Sequence, residues 1–183
     1  MSTEDSNGTR HDRVEFKLNA AQFHLNNLIS LEDKLIDNTV IDNMINQEIE
    51  IVIDCFLAQI VAAIDALLVQ INSELGLGIG IEKVDLSTVQ SALNAKTKDI
   101  DLLSELHRAS DYNNWMWLLR KLRNETLYKN LMSGNRQKLI LKLDENIDKG
   151  LVEYFEKALQ SVRALVSGIR SKEPLLTRNP HKL

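Results

Sequence analysis

VIDNMINQEIEIVIDCFLAQIVAAIDALLVQINSEL, residues 40–75, is the stretch whose reading decides the fold. Within it Ile41, Ile45, Ile49, Val52, Phe56, Ile60, Ala63, Leu67 and Ile71 recur in steps of four, four and three. An eleven-residue apolar repeat lies close to the natural helical period, so it predicts one long, nearly straight helix of roughly 50 Å. A second stripe, Ile53, Leu57, Ile64, Leu68 and Leu75, widens the apolar face. A helix apolar over so much of its circumference is central, packed on several neighbours or on another subunit. The same stretch carries Glu50, Asp54, Gln59, Asp65 and Gln70, which a membrane span rarely tolerates.

The chain before this helix holds Val14, Leu18, Ala21, Leu25, Leu28 and Leu35 at helical spacing, which predicts an amphipathic helix from His11 to about Asp37. Asp37–Asn38–Thr39 is read as the break. After it, Gly76-Leu77-Gly78-Ile79-Gly80 follows a helix rather than a strand, so it is read as a helix C-cap and turn, not a phosphate loop. Asp85 or Ser87 is placed to cap a short helix to about Asn94, and a second short helix is expected over Asp99–Arg108. Ser110 or Asp111 is the expected cap of a helix from Trp115 to about Leu131, which Ser133-Gly134-Asn135 ends. Gln137–Leu143 alternates polar and apolar residues and is read as a lone short strand or extended segment. A last helix, about Glu145 to Lys172, lays Leu151, Tyr154, Phe155, Ala158, Val162, Leu165, Val166 and Ile169 on one face.

The pattern predicts an all-α, up-and-down bundle of four to five helices in one domain over residues 11–172. A disordered tail at 1–10 precedes it, and a second tail at 173–183 carries Pro174 and Pro180. Two prolines and seven glycines in 183 residues leave little turn chemistry for a sheet protein. A content of 44% apolar and 26% charged residues excludes global disorder. Met1–Arg10 has no apolar core of a secretory signal, and one cysteine permits no internal disulfide, so a cytoplasmic protein is expected. The net charge of −4 conceals an asymmetry. Residues 1–100 hold 7 Lys/Arg against 16 Asp/Glu, while residues 104–143 hold 8 against 3. A basic segment of that kind meets either an anionic partner or the acidic half of its own fold.

Neither a metal nor a cofactor is expected. His11, His24, His107 and His181 have no ligand spacing, and Cys55 has no second thiol. Cys55 sits between Asp54 and Phe56 in the apolar helix, where a buried small side chain is the expected role. Asp54 and Asp65, eleven residues apart, share a stripe of the long helix, with Glu50 one turn earlier. They form a solvated stripe, or one of them pairs with an arginine of the 115–129 helix. On that helix Arg120, Arg123, Asn124 and Tyr128 lie on one side, at spacings suited either to holding a phosphate or to an interhelical polar seam.

Trp117-Leu118-Leu119-Arg120-Lys121-Leu122-Arg123-Asn124-Glu125-Thr126-Leu127-Tyr128-Lys129 resembles the motif helix of HEPN-type proteins, in which an arginine and a polar residue precede a histidine. Glu50–Asn72 is similar to the long helix of bacterial HEPN-like proteins, and with the last helix the resemblance spans roughly residues 14–169. It implies an all-α, commonly dimeric bundle, and for many members a metal-independent ribonuclease of toxin–antitoxin or other defence systems. Arg123 stands at the motif arginine, Asn124 at the polar residue, and Tyr128 where the histidine belongs. A phenol titrating near 10 is a poor base at neutral pH, so catalysis is expected to be inefficient.

The expectation is therefore a HEPN-like homodimer that binds RNA or a protein partner, through Arg120, Arg123, Asn124 and Lys129 with Asp54 and Asp65 in support. Two alternatives stand beside it. One is an endoribonuclease in which Arg123 and Tyr128 act on the phosphate, and the other is a purely structural interaction module. No membrane partner is expected.

Overall fold

The computed structural model describes residues 12–37, 43–96, 100–111, 114–124, 140–144 and 147–177. Among them are six α-helices: α1 (Arg13–Asp37), α2 (Asn43–Glu74), α3 (Leu86–Lys96), α4 (Ile100–Ser110), α5 (Trp115–Asn124) and α6 (Leu151–Lys172). A hairpin of β1 (Ile140–Asp144) and β2 (Ile147–Gly150) and two short 3-10 turns complete them, and the fold is an all-α bundle.

The long helix takes the central place. Ile49, Val52, Phe56, Ile60, Ala63, Leu67 and Ile71 are all buried, as are Ile53, Leu57, Ile64 and Leu68 of the second stripe; Ile41 lies outside the described residues. α1 runs antiparallel along one flank of α2, and α3, α5 and α6 close the others. The wide apolar face is thus covered within the chain, and it does not itself require a second subunit. By length and composition α2 is apolar enough to cross a membrane, yet more than half of that stretch is buried by its own neighbours. A core helix passes the same test.

The C-terminal end of α2 has a local cause. Gly76, at φ +57°, stands in the left-handed region that a glycine enters without strain. Its N–H donates to the Ser73 carbonyl at 3.2 Å, and Leu77 N–H donates to the Asn72 carbonyl at 3.0 Å. This is the Schellman pairing that terminates a helix. Asn72 then holds the following loop from both sides, accepting from Ile79 N–H at 3.0 Å and donating to the Ile79 carbonyl at 2.8 Å. Lys96 Nζ reaches the Leu75 and Gly76 carbonyls, placing a cation at the negative end of α2. Gly76→Ala is expected to cost about 1 kcal/mol, the strain of an L side chain in that region, read as a lower urea midpoint at unchanged slope.

Other caps resolve choices that spacing left open. Asp12 caps α1, accepting from Val14 N–H at 3.0 Å and Glu15 N–H at 3.2 Å. Asp85, not Ser87, caps α3: its carboxylate accepts from Thr88 N–H at 2.8 Å while Thr88 Oγ1 accepts from Asp85 N–H at 3.0 Å. These bonds, led by the Thr88 N–H and then the Ser87 hydroxyl, hold the Asp85 carboxyl below its usual range.

Three expectations need correction. Residues 147–150 are strand, not the first turn of the last helix, which starts at Leu151. Residues 140–144 are accordingly not a lone strand; they pair antiparallel with β2, Ile140 opposite Gly150 and Lys142 opposite Asp148, with a bulge before Asp144. Backbone pairing satisfies the N–H and C=O groups of a stretch that helical periodicity alone assigns to a helix. Finally, the segment after residue 172 begins packed: Pro174–Thr177 form a 3-10 turn with Leu176 buried and its carbonyl accepting from Gln70 Nε2 at 3.0 Å. Residues 1–10 lie outside the described residues.

Candidate functional site

α5 presents the basic face. Its helix starts at Asn114, whose side-chain oxygen accepts from Trp115 N–H at 2.7 Å and whose carbonyl accepts from Leu118 N–H at 3.0 Å. Ser110 and Asp111, the expected caps, do other work. Ser110 ends α4, donating to the His107 carbonyl at 3.1 Å, and the Asp111 carbonyl accepts from Asn114 N–H at 2.9 Å. Met116, Leu119 and Leu122 are the buried residues of α5, while Trp115 and Leu118 are only half-buried. Positions 116, 119 and 122 follow one line towards the core, so Met116 rather than Trp115 is enclosed.

On the outer side the cations gather around one carboxylate of α2. Arg120 donates to Asp65 Oδ1 at 3.3 Å, and the Arg123 guanidinium stands 3.9 Å from Asp65 Oδ2. The pairing is open to solvent: the side chains of Arg123 and Asp65 are 49% and 50% exposed, that of Arg120 31%. Arg120 Nε is enclosed and has no hydrogen-bond partner among the described residues. Lys121 Nζ lies 5.3 Å above the Trp117 ring, a cation–π contact one helical turn apart. Two guanidinium groups on one carboxylate leave the face positive, and Lys121 adds to it.

The other expected residues divide in three ways. Asp54 is exposed on the same stripe as Asp65 but three helical turns away, about 16 Å along the axis. It does not join the arginines. Glu50 is likewise exposed. Tyr128 and Lys129 and the Asn124 side chain lie outside the described residues. Cys55 is half-buried rather than enclosed, because it stands on the side of α2 turned away from the core. His24 is half-buried on α1 with its imidazole pKa lowered by burial, and His107 is exposed on α4. Among the described residues no three His, Cys, Asp or Glu side chains come together.

Sequence reasoning missed two clusters formed by distant residues. Arg170 on α6 donates to Asp12 at 2.7 Å, Glu15 at 3.1 Å and Gln70 at 3.4 Å, joining α6 to both α1 and α2. Glu105 on α4 accepts from Lys172 at 2.9 Å and from Arg108 at 2.6 Å. Those bonds, the Lys172 bond foremost, hold its carboxyl below the usual glutamate range. Beside Glu105 a cleft of 330 Å³ opens between α4, α5 and α6, lined by Arg108, Asn114, Trp115, Ser161 and Leu165 among others. Its volume lies at the small end for ligand pockets. No local signal in the sequence joins residue 170 to 12 or 105 to 172. The buried Tyr154 hydroxyl, whose pKa burial raises, has no hydrogen-bond partner among the described residues. No protein-family model, curated protein or solved structure matches this chain.

Proposed function

We propose that this chain is a HEPN-like binding module that takes single-stranded RNA on the outer face of α5 and does not cleave it efficiently, acting in the cytoplasm. The observation that carries the reading is the open pairing of Arg120 and Arg123 with Asp65. Asp65 orients two guanidinium groups without neutralising both, so a phosphate meets donors already aimed. Lys121 and Trp117 beside them supply the cation and aromatic surface on which unpaired bases stack. The HEPN likeness rests on the 117–129 motif and on the order of the helices. Tyr128 in place of the motif histidine argues for binding without efficient cleavage.

The same pair favours a second reading, in which Asp65 closes a polar seam between α2 and α5 and the chain is purely a protein-interaction module. Asp65→Asn separates the two. In the RNA-binding protein it removes a competing anion, so labelled single-stranded RNA binds more tightly by anisotropy. Arg120→Ala with Arg123→Ala weakens binding by roughly tenfold and flattens the salt dependence. Salt-insensitive or absent binding in the unaltered protein sinks the RNA reading. RNA cleavage that disappears in Arg123→Ala establishes a ribonuclease instead.

A further inference from the structure

Where α4, α5 and α6 meet, the packing is short of one side chain's volume. Trp115 opens α5 only half-buried, and it borders the 330 Å³ cleft to which α4 brings Ala109 and α6 brings Ser161 and Ala164 beside the buried Leu165. Side chains that small leave Trp115 partly uncovered, beside space that a further ring would fill. The cleft is pinned open from two sides. Lys172 of α6 donates to Glu105 of α4 at 2.9 Å, and the Asn114 side-chain amide donates to the Arg108 carbonyl, tying the start of α5 to α4. Walls fixed in advance need no ordering when a ligand enters. The electrostatics of the cleft have a sign as well. Its charged lining residues are Glu105 and Arg108. Glu105 accepts from Arg108 at 2.6 Å and from Lys172 at 2.9 Å, so the three groups together carry one positive charge. The Arg108 side chain is 77% exposed and gives one nitrogen to Glu105, which leaves the rest of its guanidinium fork open to a second acceptor. The positive end of the α5 dipole, at Trp115, adds to the same sign.

We propose that this cleft binds a small aromatic carboxylate, its ring lying against Trp115 and its carboxylate on the open edge of the Arg108 guanidinium. An arginine fork meets a planar carboxylate through two parallel hydrogen bonds, which a neutral group of the same shape does not supply. The ring fills the volume that Ala109, Ser161 and Ala164 leave empty, and offset stacking on an indole favours an aromatic guest over an aliphatic one. A cleft of this size admits one or two fused rings. A cationic guest finds no free carboxylate, because both Glu105 oxygens are engaged. Arg120 and Arg123 turn instead to Asp65 of α2, so the cleft and the basic face lie on different sides of α5.

This binding is independent of RNA, and its test uses the full chain with naphthoate as the probe. Naphthoate is expected to shift the Trp115 indole N–H signal saturably in NMR titration, with a dissociation constant of about 1 mM or tighter for a ligand of that size. Loss of the signal in Trp115→Phe assigns it. Naphthamide, the neutral isostere, binds roughly fivefold more weakly or worse, and Arg108→Gln erases that difference. Ala164→Leu, at an exposed position outside the core, fills the cleft and removes binding at unchanged helical circular dichroism. No saturable shift at about 5 mM naphthoate overturns the proposal, as does binding that Ala164→Leu leaves intact. Equal affinity for naphthoate and naphthamide overturns the assignment to a carboxylate. A shift at Trp117 in place of Trp115 puts the probe on the outer face of α5 and overturns the site.

Discussion

Phe56→Ala is expected to lower the unfolding free energy by about 3–5 kcal/mol, the cost of emptying a fully buried phenylalanine site. Phe56 has no solvent exposure and sits midway along α2, with neighbours on several sides. Its ring stacks on that of Phe155 in α6, centroids 4.2 Å apart and planes 17° from parallel. The alanine loses transfer free energy and also leaves a cavity lined by residues of a rigid central helix, which relaxes poorly. Loss of the ring pair itself contributes roughly 0.5–1.5 kcal/mol within the total, and Phe56→Leu retains most of the volume without it. Urea denaturation monitored by circular dichroism measures both. Ile81→Ala is the control: at 74% exposed, it is expected to change stability by less than about 0.5 kcal/mol. A Phe56→Ala protein as stable as that control would mean that α2 does not hold the centre of the bundle.

Arg170→Ala is expected to cost roughly 2 kcal/mol, the scale of charge-assisted hydrogen bonds lost from a largely enclosed group. The Arg170 side chain is 15% exposed, against 43% for its carboxylate partners Asp12 and Glu15. It closes three elements at once, since Gln70 belongs to α2 and the two acids to the start of α1. Removing it takes away the cation between the two carboxylates, leaving Glu15 only the Arg163 guanidinium at 4.0 Å, and also removes an aliphatic stem packed near the core. Arg170→Lys restores the charge but not the fork that reaches both acids, so only part of the stability returns. In a double-mutant cycle, Glu15→Gln costs less once Arg170 is alanine than it does alone. An Arg170→Ala protein within about 0.5 kcal/mol of the parent would place this cluster among solvated surface pairs that add nothing measurable.

Much of the architecture was legible because it is written in local periodicity. The 4-4-3 spacing depends only on helical geometry, and from Ile49 to Ile71 every residue on it is buried. The core face of α6 was likewise readable, all eight expected residues from Leu151 to Ile169 being buried. Gly76 was readable as a helix end because no other residue enters its backbone conformation so cheaply. The start of α6 was not, since Ile147–Gly150 joins β1 through backbone bonds that side-chain pattern does not encode. Cys55 was misplaced for a related reason: an apolar surround in sequence does not tell which side of a broad helix meets its neighbours.

By itself, then, the sequence determined that a long apolar helix lies at the centre of an all-α bundle, and where that helix ends. It also marked 115–129 as the basic, aromatic segment. Only the tertiary structure decided that α1, α3, α5 and α6 cover the wide face of α2, leaving the outer side of the α1–α2 hairpin as the open apolar surface. It decided too that Asp65, not Asp54, meets Arg120 and Arg123 across more than fifty residues of chain. The physical reason is one of range. Helical period and capping act within a turn or two, whereas ion pairing and coverage depend on which faces the whole chain brings together.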